Sequence, residues 1–267
     1  MLELNKIYNM DCIEGMKLLP DNSIDLVITS PPYDEIRGYK GFSLDLHSVG
    51  VQISRILKDG GICVMVIQDQ TKKGRKTMTS FKTILDWDDN TELDVFETCI
   101  YNRNGTPGAW WSKRFRVDHE YIPIFIKGKR PQYFNKEHMM IDTIHRGKTV
   151  RSGVRRSSTG IVDYTNSENI VKDKKCCGTI INYESSKASD KKNKLKMEHP
   201  ATFPNKLASD FIQCFTIEGM TVLDPFMGSG TVAAMAKKLN RKYIGFEISK
   251  EYCEIAEKRI LMVFGES

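Results

Sequence analysis

The stretch TVLDPFMGSGTVAAMAKKLNRKYIGFEIS, residues 221–249, constrains the fold more than any other part of the chain. An apolar run ends in Asp224, and a turn containing Gly228 and Gly230 follows it. An alanine-rich helical segment then leads to a second apolar run that ends in Glu247. Glycines in such a turn allow positive φ angles and a close approach of the backbone to a ligand. The order strand, glycine turn, helix, strand predicts neighbouring parallel strands of an α/β sheet.

The first third of the chain repeats this alternation of strand and helix. The run DLVIT, residues 25–29, is continuously apolar and suits a strand that is buried on both faces. Apolar residues within 46–57 fall on one helical face, and Gly60-Gly61 is expected to end that helix before the strand ICVMVI, residues 62–67. We therefore predict a doubly wound, mostly parallel sheet.

The rest of the chain divides into a hairpin and a lobe. The β-rich runs FETCIYNRN and EYIPIFIKG, joined by GTPGAWWSKRF, predict a late antiparallel hairpin. Apolar patterning is then lost, which predicts a small irregular lobe. We expect residues 1–131 and 197–267 to be two halves of one domain, with residues 132–196 as the lobe.

Positive charge is concentrated in that lobe. Residues 127–196 hold 17 lysines and arginines against 7 acidic residues, whereas the whole chain has 40 against 34. This excess favours binding to nucleic acid, and a solvated lysine-rich surface is the alternative. The basic side chains expected to contact nucleic acid are Arg151, Arg155, Arg156, Lys191 and Lys192.

The residues around the glycine turn favour one class of cofactor. Glu247, at the end of the second strand, is placed to accept hydrogen bonds from ribose hydroxyls. The turn GSGT lacks the third glycine of the dinucleotide fingerprint, and Asp224 would repel a pyrophosphate but attract an ammonium group. S-adenosylmethionine has an amino group, a sulfonium and a ribose but no phosphate, so it is favoured over NAD. A tight strand-to-helix connection without a ligand is the alternative.

A second polar turn, Ser30-Pro31-Pro32-Tyr33, follows the run DLVIT. Prolines lack N–H donors and have a restricted φ, so this turn is stiff and presents carbonyl oxygens. A hydroxyl, carbonyl oxygens and an aromatic ring together suit a planar base that bears an exocyclic amine. Because ligands bind at the carboxyl ends of strands in open α/β sheets, both turns are expected to line one cleft. The alternative is a simple strand end with Tyr33 in the core.

TSPPY and DPFMGSGT resemble the two signature motifs of the S-adenosylmethionine-dependent DNA amino-methyltransferases, which act on the N4 of cytosine or the N6 of adenine. The order of the motifs, with TSPPY first, resembles the permuted β group of that family. The resemblance covers nearly the whole chain except residues 132–196, where the family holds its target-recognition region. It implies a Rossmann-like methyltransferase fold, double-stranded DNA as the substrate, a cognate restriction endonuclease as a candidate partner, and a monomer or homodimer.

The resemblance also implies roles for individual residues. Ser30, Pro31 and Tyr33 would hold the target base, and Pro32 would stiffen the turn. The base would leave the duplex, and the methyl group would pass in line from sulfonium to nitrogen without a covalent enzyme intermediate. The residues implied to bind the cofactor are Asp11, Phe203, Pro204, Lys206, Asp224, Phe226, Gly228, Ser229, Gly230, Thr231 and Glu247.

The resemblance leaves the target atom open. Ser30 together with HPATFP favours the N4 of cytosine, because adenine-N6 enzymes more often carry Asp at that position, although Ser occurs among them. An RNA or protein methyltransferase is a more remote alternative, since enzymes acting on glutamine usually show Asn before the two prolines. A non-enzymatic nucleic-acid-binding module would need neither Glu247 nor the glycine turn.

The cysteine pattern and the hydropathy limit which other classes of protein are compatible with the sequence. The seven cysteines form no CxxC pair, which predicts buried reduced thiols and no metal site. No apolar run approaches the roughly 20 residues that cross a bilayer, and the N-terminus does not read as a signal peptide. We therefore expect a cytoplasmic protein that makes no membrane contact.

Overall fold

The chain divides into two compact units. A computed structural model describes residues 2–32, 44–103, 114–115, 117–152, 155–156, 162–163, 167–183 and 204–262. The first unit comprises Met1–Asn135 and Thr179–Ser267, and the second unit comprises Lys136–Gly178. The second unit falls within the segment 132–196 that the sequence marks as a separate lobe.

Helices and strands alternate through the first unit, and the second unit contains short strands. The described helices are α1 (Cys12–Lys17), α2 (Leu46–Ile56), α3 (Thr79–Asn90), α4 (Asn205–Phe215), α5 (Thr231–Lys238) and α6 (Lys250–Met262), with a short 3₁₀ turn at Glu137–Met139. The described strands are β1 (Lys6–Asn9), β2 (Ile24–Thr29), β3 (Leu57–Met65), β4 (Thr71–Lys72), β5 (Arg75–Lys76), β6 (Leu93–Asn102), β7 (His119–Lys127), β8 (Met140–Asp142), β9 (Thr149–Ser152), β10 (Arg155–Arg156), β11 (Val162–Asp163), β12 (Ser167–Ile170), β13 (Lys174–Cys176), β14 (Ile180–Asn182), β15 (Thr221–Asp224) and β16 (Lys242–Glu247).

Eight strands form the main sheet, in the order β1-β16-β15-β2-β3-β7-β6-β14. The strands from β1 to β3 in this order are parallel, and β7 is antiparallel to both of its neighbours. β6 and β7 form the predicted late hairpin, paired from Leu93↔Lys127 to Asn102↔His119. The structure therefore confirms an α/β fold with a mostly parallel sheet.

The direction of the crossover connections shows why the fold is doubly wound. The connection from β15 through α5 to β16 moves one way along the strand order, and the connection from β2 through α2 to β3 moves the other way. Because crossovers between parallel strands are right-handed, α2 and α5 cover opposite faces of the sheet. The strand order reverses between β15 and β2, and ligands bind at such a switch point in α/β sheets.

The first three helices pack on one face of the sheet. Met16 of α1, Ile53 of α2 and Trp87 of α3 lie in one buried cluster with Val27 and Phe125 from the strands. All residues of β2 are buried, as its continuous apolar run predicts. Close packing of these side chains fixes the positions of the strand ends, where the polar turns begin.

The expectation that Gly60-Gly61 ends the second helix is wrong. The helix ends at Ile56, and Leu57 already has extended backbone angles and pairs with Ile24 of β2. The two glycines lie inside β3, where the register against β2 shifts between Leu57 and Ile62. An irregularity in the pairing accommodates the extra residues there, so the glycines shape a strand instead of ending a helix.

The lobe segment contains more regular structure than its sequence suggests. In the second unit, β8 pairs with β13, β9 with β12 and β10 with β11, all antiparallel. The apolar run Ile180–Asn182, which lies within residues 132–196, instead adds β14 to the main sheet, parallel to β6. This edge strand forms by pairing with β6, which is distant in sequence, so the local sequence of β14 does not predict it.

Within the described part of the chain, no helix is long and apolar enough to span a membrane. Over the same residues, no group of three or more His, Cys, Asp or Glu side chains is arranged to hold a metal ion. The cysteines are free thiols, and five of the seven are buried: Cys12, Cys63, Cys99, Cys214 and Cys253.

Candidate active site

Four parallel strands bring polar residues to one edge of the main sheet. β15 ends at Asp224, β16 at Glu247 and β2 at Thr29, directly before Ser30. β1 ends at Asn9, which lies opposite Glu247 in the strand register. These strands are adjacent and parallel, so their carboxyl ends meet at the switch point, as predicted for the two polar turns.

A buried hydrogen bond joins the ends of β2 and β15. The Thr29 hydroxyl donates to Asp224 Oδ1 over 2.9 Å, and the Phe226 backbone N–H donates to the same oxygen over 3.0 Å. Asp224 is only 2% exposed, and Thr29 is fully buried. This bond couples the strand that precedes Ser30 to the strand that precedes the glycine turn.

Burial also changes the acid strength of Asp224. Desolvation raises the pKa of this carboxyl to about 7, against the opposing effect of the hydrogen bonds from Phe226 and Thr29. The negative charge of Glu247 contributes to the same increase in pKa. Among the described residues, both hydrogen bonds to this carboxyl use Oδ1, so Oδ2 can accept from a ligand. A cationic ligand group at Oδ2 would favour the ionised carboxylate.

The glycine turn is held against the end of β16 by Glu247. The Gly228 N–H donates to Glu247 Oε2 over 2.9 Å, and the Ser249 N–H donates to Oε1 over 2.8 Å. Burial raises the pKa of Glu247, and these backbone donors act in the opposite direction. A carboxylate oxygen can accept a second hydrogen bond, so the predicted contact with ribose hydroxyls is compatible with this arrangement.

Both glycines of the turn have backbone angles that side chains disfavour. Gly228 has a φ of 51° and Gly230 a φ of 76°. A Cβ on Gly230 would lie 2.8 Å from the Cβ of Ala256 in α6. The turn therefore needs glycine at position 230 both for its conformation and for its packing against α6.

Arg259 is a further site residue, and it does not belong to either of the two polar turns. This α6 side chain is 1% exposed, and its Nη1 donates to the Ser229 hydroxyl over 3.0 Å and to the Thr231 hydroxyl over 2.8 Å. It also donates to the Ser229 carbonyl over 3.2 Å. A signal was present, since Arg259 lies three and four positions after Ala256 and Ile255 on the buried face of α6. The guanidinium fixes two residues that were predicted to bind the cofactor.

The end of β1 contributes Asn9 and Asp11. The Asn9 side chain donates to the carbonyls of Glu247 and Ile248, both over 2.9 Å, and so ties β1 to the end of β16. Asp11 is exposed and caps α1, with its Oδ1 accepting from the N–H groups of Ile13 and Glu14. Its predicted place beside the adenine of the cofactor stays a prediction.

The start of α4 carries the predicted cofactor residues Pro204 and Lys206. Pro204 is buried at the N-cap position. The Lys206 ammonium bonds both carboxylate oxygens of Asp210 over 2.8 and 2.9 Å, while its side chain remains 68% exposed. Asp210 also accepts from the buried Tyr183 hydroxyl over 3.1 Å. Lys206 thus has a partner within its own helix, and its contact with the cofactor stays a prediction.

Several predicted residues are not placed by this structure. Tyr33, Phe203, Lys191 and Lys192 lie outside the described residues. In the second unit, Arg151 belongs to β9, and Arg155–Arg156 forms β10. The roles assigned to these residues from the sequence remain predictions.

Comparisons with known proteins identify the family. A family model described as DNA methylase, of the N6/N4 methyltransferase class, matches residues 24–258. The orphan methyltransferase M.BamHII of Bacillus amyloliquefaciens is 37% identical over 240 residues, which cover 90% of this chain and 89% of the relative.

Two solved structures support the fold. The PvuII DNA methyltransferase, described as cytosine-N4-specific, aligns with a TM-score of 0.67 at 22% identity and covers 97% of this chain and 90% of its own. The complex of M1.HpyAVI with SAM aligns with a TM-score of 0.60 at 21% identity, over 96% of this chain and 98% of its own. At these identities the structures confirm the fold, and the family model confirms the predicted family. The chain belongs to the N6/N4 DNA methylase family.

Proposed function

We propose that this member of the DNA methylase family transfers a methyl group from S-adenosylmethionine to the exocyclic N4 of a cytosine in duplex DNA. S-adenosylmethionine is the cofactor of the family, and two structural neighbours were solved with it. The observation that carries the proposal is the hydrogen bond between Thr29 and Asp224. It links the turn suited to an amine-bearing base directly to the turn suited to the cofactor.

The protein groups at this edge fit the chemistry of the cofactor. Asp224 Oδ2 would accept a hydrogen bond from the ammonium, and Glu247 would accept hydrogen bonds from the ribose hydroxyls. The positive φ angles of Gly228 and Gly230 leave a backbone surface without side chains for the methionine portion. S-adenosylmethionine supplies, when bound, an electrophilic methyl group on its sulfonium.

The first turn would activate the amine of the target base. The Ser30 hydroxyl and the Pro31 carbonyl would accept hydrogen bonds from the two N–H groups of this amine. These bonds would make the nitrogen lone pair more available for attack on the methyl group. Pro31 and Pro32 have no N–H groups that could compete for these acceptors. Positioning of the amine in line with the methyl group then supplies much of the rate.

The nearby thiols support direct transfer without a covalent enzyme intermediate. Burial raises the pKa of Cys12 to about 12, and burial with the charge of Asp224 also raises the pKa of the fully enclosed Cys63. Both groups are therefore protonated thiols near neutral pH. A thiol is a much weaker nucleophile than a thiolate, so neither cysteine is suited to attack the base.

The N6 of adenine is the second candidate target. Ser30 at the start of the motif favours cytosine. We further propose that residues 132–196 recognise the target sequence, with Arg151, Arg155 and Arg156 as candidate base contacts. A cognate restriction endonuclease is a proposed partner, and the proposed assembly is a monomer or homodimer.

The target atom can be tested directly. DNA from cells expressing the protein would be digested to nucleosides, and mass spectrometry would separate N4-methylcytosine from N6-methyladenine, with modified-base sequencing to map the site. We expect N4-methylcytosine. N6-methyladenine alone would establish the second candidate, whereas radiolabel transfer to RNA or protein but not to DNA would contradict both.

A matched pair of variants tests the catalytic turn. Ser30→Ala removes one acceptor for the amine, so turnover should fall at least tenfold with unchanged cofactor affinity. Ser23→Ala is the control, because Ser23 precedes the opposite end of β2 and its hydroxyl bonds the Pro20 carbonyl. Wild-type turnover in Ser30→Ala would show that the turn has only a structural role.

A further inference from the structure

A short hairpin with a high positive charge follows β3 in the first unit. β4 and β5 pair antiparallel to form the segment Thr71–Lys76, sequence TKKGRK, which we call the basic hairpin. Lys73 and Gly74 connect the strands with φ angles of 48° and 76°. Two consecutive positive φ angles in a two-residue loop are typical of a type I′ turn, whose twist matches that of the paired strands.

Two features of the basic hairpin work against folding stability. Type I′ turns favour Asn, Asp or Gly at both central positions, yet the first one here is Lys73, a side chain that disfavours positive φ. Lys72 and Arg75 lie directly opposite each other in the register, and like charges at such positions are destabilising. Strained or repulsive features that a fold retains are candidates for function.

The base of the hairpin is firmly anchored. Gln70 and Thr77 close it with hydrogen bonds of 3.1 and 3.2 Å. Asp69 is buried, and its carboxylate accepts from the Ser80 N–H over 2.9 Å at the start of α3. The Lys76 ammonium donates to the Asp69 carbonyl over 3.2 Å. The hairpin is thus attached to the body of the first unit at both of its ends.

The hairpin belongs to the same sheet edge as the candidate active site. β3 ends at Met65, and the next N–H, of Val66, donates to the Thr29 carbonyl over 2.8 Å, directly before Ser30. Thr71 can lie no further than about 18 Å from Val66, given the extended length of the chain. The phosphates of one DNA strand are spaced about 3.4 Å apart along the helix axis, so this reach spans about five nucleotides.

Two cations of the basic hairpin are available for a polyanion. Lys73 and Arg75 are exposed, and neither forms a salt bridge within the part of the chain that the structure describes. The segment 70–78 contains no acidic residue. Arg114 donates from its guanidinium to the Gly74 carbonyl, which adds a further cation at the turn. Lys73 and Arg75 therefore belong to a hairpin whose base is fixed by hydrogen bonds.

We propose that the basic hairpin binds phosphates of duplex DNA beside the target base, as a docking surface of the first unit that is separate from the lobe. The proposal rests on the chain acting on DNA as a methyltransferase. Phosphate contacts fix the register of a protein on the duplex and carry no direct sequence information. The hairpin should therefore contribute to affinity for every sequence alike.

The turn itself supplies a sharp test, because Lys73→Asn removes the charge and creates the Asn-Gly pair that a type I′ turn prefers. Binding to cognate and scrambled duplexes should weaken by about 3- to 10-fold at 0.1 M salt, and the slope of log K against log salt should fall by about 1. The melting temperature should stay the same or rise, so a folding defect would not explain the loss. Adding Arg75→Gln should reduce the slope by about 2.

Lys238→Asn is the matched control. Lys238 is exposed near the end of α5, and α5 begins at the glycine turn and so ends at the opposite edge of the sheet. This control should keep the wild-type slope. Unchanged slopes in Lys73→Asn and the double variant, or an equal drop in Lys238→Asn, would overturn the docking proposal. A wild-type protein that neither binds nor methylates DNA would instead overturn the proposed function.

Discussion

The carboxyl group of Asp224 links the protonation state of the protein to cofactor binding. Burial raises its pKa to about 7 in the unliganded protein, so the group is largely protonated below that pH. The cofactor ammonium would bind the ionised carboxylate. We therefore expect the affinity for S-adenosylmethionine to rise roughly tenfold between pH 6 and 7.5, with proton release on binding at the lower pH. Calorimetry in buffers of different ionisation enthalpy measures both quantities.

The same group makes the stability of the unliganded protein depend on pH. Because the folded pKa is raised, the stabilising contribution of protonated Asp224 is present at low pH and is lost as the pH rises through about 7. Asp224→Asn should remove both this dependence and the proton release. A cofactor affinity that stays flat between pH 6 and 7.5 in the wild type would contradict a contact with the ammonium.

Arg259 is expected to position the glycine turn through Ser229 and Thr231. Arg259→Met would leave these hydroxyls without their donor and should lower the free energy of unfolding by on the order of 3 kcal/mol. Arg259→Lys keeps the charge but cannot span both hydroxyls in the same way. We expect Arg259→Lys to remain folded and to lose at least tenfold in cofactor affinity, measured by calorimetry.

Arg241→Met is the control that distinguishes an effect on the position of the glycine turn from a general loss of folding stability. Arg241 is half-buried and donates to the Thr216 hydroxyl and carbonyl over 3.0 and 2.7 Å, in the connection that precedes β16. Its loss should destabilise the fold without changing the affinity for the cofactor. Equal effects of Arg259→Lys and Arg241→Met on that affinity would give Arg259 a structural role alone.

At the scale of elements, the turn and α6 are fitted to each other at Gly230. Gly230→Ala adds a Cβ at a φ of 76° and within 2.8 Å of the Ala256 Cβ, so it should lower the free energy of unfolding by roughly 2 kcal/mol. Ala256→Gly in the same chain removes the opposing Cβ. It leaves the backbone strain and the contacts of the new Cβ with the Cα and carbonyl oxygen of residue 256, at 3.0 and 3.3 Å. The double variant should be less destabilised than the sum of the single variants, as measured by urea denaturation. Strict additivity would contradict the packing account.

Elements with a strong local pattern were predictable, and elements set by distant pairing were not. The segment from β15 to β16 follows from its apolar runs and glycines alone. The end of α2 was misplaced because the extended conformation of Leu57 depends on pairing with Ile24, which no local pattern shows. β14 was missed for the same reason, since Ile180–Asn182 becomes a strand only beside β6.

The residues of the candidate site also differ in whether a local sequence pattern predicts them. Asp224 and Glu247 were identified because each ends an apolar run next to glycines or small polar residues. Thr29, Asn9 and Arg259 were not singled out, because their bonds join strands and helices that are remote in sequence. Buried polar contacts of this kind are decided by tertiary packing, and a single sequence carries only weak traces of them.

At the scale of the whole molecule, positive charge is divided between two segments. The chain carries a net charge of +6, and residues 127–196 hold 17 basic against 7 acidic residues. The basic hairpin adds a second group of cations in the first unit. Because phosphate contacts act through counterion release, each segment should contribute its own share to the salt dependence of DNA binding.

This division of charge determines how DNA binding should respond to salt in charge variants. Replacing Lys191 and Lys192 together by alanine should reduce the slope of log K against log salt by about 2 and weaken all sequences alike, because lysines mainly contact phosphates. In contrast, loss of a base-contacting arginine among Arg151, Arg155 and Arg156 should cost about 1 to 3 kcal/mol on the target site and little on scrambled DNA. Combined with Lys73→Asn, the lysine pair should reduce the slope by about 3, since independent contacts add. A titration of each variant on both duplexes across a salt series measures these slopes. If the combined variant reduced the slope no more than one of its parent variants does, the two segments would not bind DNA independently.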